Sequence, residues 1–443
     1  MSSPDVPLRI PASVKAASRA YAWRGRRSGE AREDAGRQLR EGGGVGEERR
    51  HIAGAERRAR LALRHRLAGT ARAESPEEVA GSLVALHGTD PATVYLAVGA
   101  RLADAGKTVA ELDRALYEDR TLVRMHGMRH TVFVFPTELA AVVHASTGLA
   151  IAAKARAGLV KNMVSGSDGR LTEEWLAEVE ASALAALARR GQATVNELVQ
   201  DEPRLREQFT YGAGRSYESA QTVSSRLMRV LGVEGRVVRG RPLGSWTSTQ
   251  FRWAVAPPHP ELPPSEAQPE LLRRWLAVCG PATEADLKWW TGWKVTDVRR
   301  ALAAIGAVAV SLDDGATGYV TADDIAPVPG PAAPWAALLP GLDPTPMGWQ
   351  ERDWYLSPSL RPALFDGSGN VGPTVWWDGR VVGGWAQRAD GALVWRVLDP
   401  AGVGREALAA IETEAARLRA WLGPTRITPR FRTPLEKELT TGQ

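Results

Sequence analysis

Apolar and polar positions follow two rhythms along this chain. Between residues 75 and 305 the apolar residues fall in short helical runs, several of them opened by a capping signal. Ser75-Pro76-Glu77-Glu78 sets a Ser at the cap, a Pro at the first helical position and a Glu three residues after the cap. Thr108-Val109-Ala110-Glu111 and Thr194-Val195-Asn196-Glu197 repeat that box, and Thr283-Glu284-Ala285-Asp286 carries an acid in the same place. The acids also complement the helix dipole. Beyond Trp335 the rhythm turns to strands. Val371 to Trp377 and Arg380 to Trp385 flank an Asp378-Gly379 turn, and Ala389-Asp390-Gly391 leads into Leu393 to Leu398. A helix near Gly404–Leu422 and a basic tail follow.

Two stretches share one plan. Thr194 to Val199 opens a short helix, and a second helix from about Glu218 to Leu231 carries Arg226 and Arg229. Arg236 to Pro242 then reads as a strand entering a basic turn, with Ser245 to Trp253 returning. In the second stretch, helix Glu284–Trp290 ends at Gly292 and helix Thr296–Ile305 carries Arg299 and Arg300. Strand Ala307–Leu312 turns at Asp313-Asp314-Gly315 and returns through Tyr319. Helix, turn, helix and hairpin describe a winged helix, which either reads a DNA groove or serves as scaffold. The expected fold is α+β: tandem winged-helix units with a C-terminal antiparallel β-rich section. Proline-rich linkers at Ala254–Pro269 and Asp324–Pro334 suggest modules at 55–256, 270–324 and 335–443.

The chain has 443 residues, 44% of them hydrophobic, enough for a large core. It shows no apolar run of membrane-spanning length and no signal-peptide pattern, so a cytoplasmic, nucleoid-associated protein is expected. The one cysteine, Cys279, excludes an internal disulfide and sits on an apolar face, so it reads as core. The seven histidines show no metal-binding spacing, and neither metal nor cofactor is indicated. The net charge of +5 rests mainly on arginine, which favours phosphate as a partner. Many of the tryptophans fall from Trp335 onward and read as packing. Residues 1–54 read as a disordered basic extension with a glycine run at Gly42-Gly43-Gly44.

The densest chemistry lies at Leu86-His87-Gly88-Thr89-Asp90-Pro91, where one helix ends and Pro91 opens the next. Gly88 permits a turn, and His87 and Thr89 are held at a fixed spacing. Two readings remain open: proton-handling groups presented together, or Thr89 and Asp90 acting only as caps. Downstream, Arg124, His126 and Arg129 form a basic segment anchored by Val132-Phe133-Val134-Phe135. These arginines read either as phosphate grips or as paired surface charges.

In their order, these pieces resemble the winged-helix DNA glycosylases of the AlkZ and YcaQ type from about Ala55 to the C-terminus. The resemblance rests on Ala59-Arg60-Leu61-Ala62-Leu63, Thr121 to Thr131, and Cys279-Gly280-Pro281-Ala282-Thr283 with Trp289 and Gly292. It continues through Leu338 to Pro344, Val381-Val382-Gly383-Gly384-Trp385, and Arg430-Phe431-Arg432-Thr433-Pro434-Leu435. The family signature, Gln-x-Gln or Gln-x-Asp, is His87-Gly88-Thr89 here, and the family's Arg-Gly-Thr-Leu-His stretch reads Arg129-His130-Thr131-Val132-Phe133.

The resemblance implies hydrolysis of the N-glycosidic bond of an alkylated purine in double-stranded DNA, possessed of an N7 adduct or a crosslink, by a monomer that protects against DNA-damaging metabolites. His87 is then expected to activate water, Thr89 to position it and Asp90 to supply electrostatic support, with pH sensitivity near neutrality. The competing reading of His87 is a satisfied buried histidine in an inactive descendant. Arg124, His126, Arg129, Arg226, Arg229, Arg299, Arg430 and Arg432 are expected to contact DNA. The alternative function is a non-catalytic winged-helix DNA-binding protein or transcription regulator.

Overall fold

The computed structural model of the protein describes residues 49–212 and 214–441, so nearly all of the basic extension read at 1–54 lies outside the described residues. Within them, one order of elements occurs three times. The first set comprises helix Pro76–Leu83, strand β1 (Leu86–His87), helices Pro91–Gly99 and Thr108–Asp113, and strands β2 (Leu122–His126) and β3 (Val132–Pro136). Its antiparallel sheet runs β1-β3-β2. The second comprises helix Glu173–Arg190, β4 (Gln192–Ala193), helix Val195–Asp201, an inserted hairpin of β5 (Gln208–Tyr211) and β6 (Ser219–Thr222), helix Val223–Val233, β7 (Val237–Pro242) and β8 (Phe251–Val255). Its order is β4-β8-β7. The third comprises helices Pro264–Cys279, Glu284–Thr291 and Val295–Ala304 with β9 (Val308–Ser311) and β10 (Thr317–Val320), and Ala282 bridges to Tyr319. In each set the returning strand of the hairpin lies against the segment that follows the first helix.

Local chemistry accounts for many element boundaries. Thr194 accepts from the backbone of Glu197 while Glu197 accepts from the backbone of Thr194, and Thr283 with Asp286 repeats the exchange. Ser75 caps through Glu78 N at 3.2 Å. Thr108 departs from expectation. It is the first helical residue, fully buried, and its hydroxyl donates to Ala105 O at 2.7 Å instead of capping. The helix expected from Glu218 begins at Val223, because Ser219–Thr222 pairs with Gln208–Tyr211. The linker expected at 254–269 is shorter, since β8 runs to Val255 and a helix opens at Pro264, with Pro264 at its first turn and Pro269 inside it. The basic tail ends in helix Pro434–Thr441.

The C-terminal region holds an antiparallel sheet in the order β11 (Ala336–Leu339), β12 (Thr374–Trp377), β13 (Arg380–Gln387), β14 (Leu393–Val397). Helix Arg405–Leu422 covers it, packing Ile411 and Ala415 among Leu338, Val375 and Trp385. One buried ion pair ties this region to the first set of elements. Arg101 and Asp343 are both fully buried and bind through two bonds of 2.7 and 2.8 Å. The Arg101 guanidinium also donates to Thr345 Oγ1 and to the carbonyl of His65. Breaking such a pair from one side costs about 3–5 kcal/mol, so it holds the C-terminal end of helix Pro91–Gly99 against the loop at Asp343. Among the described residues no helix is long and apolar enough to cross a membrane.

Candidate active site

The His87–Asp90 junction is held as the edge of a sheet. Leu86 and His87 pair with Val134 and Phe133, and Gly88 N donates to Val132 O at 2.8 Å. Gly88 is needed for close approach: a Cβ there would lie 3.2–3.3 Å from the backbone of Phe133 and Val132, neither of which can give way. Its φ is not among the positive ones, so the expected turn chemistry is not the reason.

His87 and Thr89 line different cavities that share Leu342. The His87 ring sits edge-on to Phe133 at 5.5 Å, beside His65, Arg129, Trp275 and Trp290. Its Nδ1 is buried without a partner. Burial, and secondarily the Arg129 charge, push its pKa down to about 4, so the ring is neutral at physiological pH. Sensitivity of this group near pH 7 is therefore displaced into the acid range. Across Leu342, Thr89 and Asp90 line the second cavity with Pro340, Trp385, Arg430 and Arg432. Asp90 caps helix Pro91–Gly99 through Ala92 N at 3.0 Å, so the capping reading holds for it. Its carboxyl is pushed up chiefly by burial, against the backbone N–H groups of Ala92 and Arg430 and the charges of Arg124 and Arg430. Cap and charge are thus one carboxylate.

The basic residues divide into groups. Arg124 is 5% exposed on β2, and its Nε and Nη2 have no partner. His126, two residues on and facing the same way, is buried beneath Gly232, and burial first and Arg239 next push it down to about 3. It contacts the fold as a neutral ring. Arg226 stacks on Tyr211 at 4.0 Å, and Arg229 is exposed on the same helix. Arg430 is exposed and Arg432 half-buried. Arg129 turns away from this group and stacks on Trp289 at 4.2 Å, at the third set of elements. Arg129 and His130 both have positive φ, 54° and 61°, at the β2–β3 hairpin tip. Arg299 stands apart, bound to Glu284. Cys279 is buried and its thiol is pushed up by desolvation, which makes it a poor nucleophile.

Sequence reading missed Arg239. It lies on β7 opposite Trp253, stacked on Phe251 at 4.6 Å and Trp253 at 5.6 Å. Burial, then the charges of Arg124, Arg229 and Arg430, lower its pKa to about 10, which leaves it protonated. The signal was the alternation Val237-Val238-Arg239-Gly240-Arg241, read only as a basic turn.

No curated protein matches the chain. Its fold is similar to that of the Streptomyces sahachiroi DNA glycosylase AlkZ, with a TM-score of 0.63 at 22% identity over 86% of this chain and 99% of that one. The family model for DNA glycosylase AlkZ-like proteins matches residues 80–421, which contain the junction, the C-terminal sheet and the three sets of elements except the first turn of helix Pro76–Leu83, and the chain therefore belongs to the AlkZ-like DNA glycosylase family.

Proposed function

We propose that this chain removes an N7-alkylated purine, simple or bulky, from duplex DNA by hydrolysing its N-glycosidic bond. The observation that carries the reading is Asp90, a carboxylate held at the start of a helix near Arg124 and Arg430, in a cavity it shares with Arg430 and Thr89. Alkylation at N7 leaves a positive base, so the C1′–N9 electron pair departs readily onto it. The sugar becomes cationic, and a fixed carboxylate stabilises that charge without reorganising. Water from the His87 cavity then bonds to C1′, and its proton passes to the neutral His87 at the unpartnered Nδ1, while the Thr89 hydroxyl lies with Asp90 in the cavity on the sugar's side of Leu342. The His87 cavity is about 20 Å³, room for one water. The three sets of elements are read here as winged-helix units, the scaffold that brings duplex DNA to this junction.

The test is single-turnover base release from duplexes carrying N7-methylguanine or a bulkier N7 adduct. Asn caps a helix about as well as Asp, so Asp90→Asn should keep the fold and slow release about 100-fold or more. His87→Ala should lose roughly 10- to 100-fold with DNA binding intact. Full excision by both variants would remove these residues from the chemistry. Tight duplex binding with no release by the wild type would turn the reading to a non-catalytic DNA-binding protein.

A further inference from the structure

Four arginines from three distant parts of the chain face one another without carboxylate ion pairs among the described residues. Arg124 comes from β2, Arg229 and Arg239 from the second set of elements, and Arg430 from the segment before the last helix. Helix Val223–Val233 and β7 both pack on β2, which brings these charges together. Asp90 is set against two of them, Arg124 and Arg430, and the charges acting on Arg239 are all positive. His126 and His130 also face the group, both with lowered pKa values and so without charge at neutral pH.

Burying an unpaired guanidinium is expensive, and steering a duplex from a distance does not require it. Arg124 is nevertheless 5% exposed, and its two unpartnered nitrogens are Nε and Nη2. Those are the parallel N–H groups of the side-on fork, spaced for two oxygens of one phosphate or carboxylate. Arg239 is fixed by its two aromatic neighbours, so its orientation is set before any ligand arrives.

We infer that Arg124, Arg229, Arg239 and Arg430 form a single site for one backbone phosphodiester of the duplex, which sets the adjoining sugar against Asp90. This rests on the DNA reading above and adds to it a defined contact. Arg239 and Arg124 are positioning residues in it: they fix a nucleotide and do not touch the reacting bond.

The experiment is a methylphosphonate scan. Duplexes carry 2′-fluoro-N7-methylguanine, which resists cleavage, with one phosphate at a time near it made neutral. Affinity is measured for the wild type, Arg239→Gln and Arg229→Gln, with melting temperatures to verify folding; Arg229 is exposed, so its variant guards against misfolding at Arg239. In the wild type one position should cost about tenfold in affinity. At that position alone the variants should lose nothing further. Equal losses in wild type and variants at every position would overturn the site. Displacement of duplex by inorganic phosphate beyond that caused by chloride at equal ionic strength would assign the site to a free phosphate and overturn the diester assignment. The scan reads binding, so it succeeds or fails independently of excision: coupling without base release would leave the site standing and the glycosylase reading fallen, and release without coupling the reverse.

Discussion

The second and third sets of elements repeat one architecture, yet their arginines meet different surroundings. On helix Val223–Val233, Arg226 lies over Tyr211 and Arg229 faces Arg226 and Arg430, with no carboxylate in reach of an ion pair among the described residues. On helix Val295–Ala304, Arg299 is bound to Glu284 and Arg300 to Asp297. Equal fold and similar composition therefore give unequal fields. A guanidinium with its own carboxylate attracts phosphate weakly, and one among other guanidiniums attracts it strongly. The comparison teaches that a third helix bearing arginine is no reader by that fact; its acidic neighbours decide.

The largest expected effect separates the two helices directly. Arg226→Gln with Arg229→Gln should weaken duplex binding roughly 100-fold and flatten its salt dependence by about two phosphate contacts, at about −0.9 per contact. Arg299→Gln with Arg300→Gln should change affinity less than about twofold. Equal losses from the two pairs, read by salt-titrated binding isotherms, would erase the distinction drawn between the regions.

A second effect of intermediate size acts on both regions through buried histidines. Burial pushes His126, beneath the second set's helix, and His65, against the third set's Cys279, each down to about 3. Their folded pKa values lie below the unfolded value near 6.5, so the unfolded chain binds more protons between the two. Stability should hold above about pH 6.5 and fall as pH drops from there toward 3. Urea midpoints at pH 7.5 and 5 check the sign, and an unchanged midpoint would count against neutral burial of both rings. The smallest effect is a gain: Glu284→Gln frees Arg299 and should tighten duplex binding by about twofold or less, since exposed pairs are weak.

Legibility in the sequence followed distance along the chain. The capping boxes at Thr194 and Thr283 were readable because cap and acid lie three residues apart. A partner fifteen residues away, as Glu284 is from Arg299, leaves no such local pattern. The first set of elements escaped notice because its hairpin tip, with positive φ at Arg129 and His130, carries no Asn-Gly or Asp-Gly turn signal. His87, Thr89 and Asp90 were found, but their division between two cavities depends on Leu342 and the C-terminal segment, some 250 and more residues away. The fall in the His87 pKa likewise comes from Trp275, Trp290 and Phe133 closing around it, which no local pattern announces.

Arg430 to Thr433 line the same cavity as Asp90, and helix Pro434–Thr441 seats that segment against β13. During synthesis, then, the three sets of elements leave the ribosome and can pack well before the cavity has its last wall. A partly made chain holds many of the charges that attract DNA but cannot complete the place where a nucleotide would be held. Translation order itself keeps this cavity open until the residues from 430 onward have emerged, so under the proposed function a chain broken off short of them would bind DNA loosely and release no base.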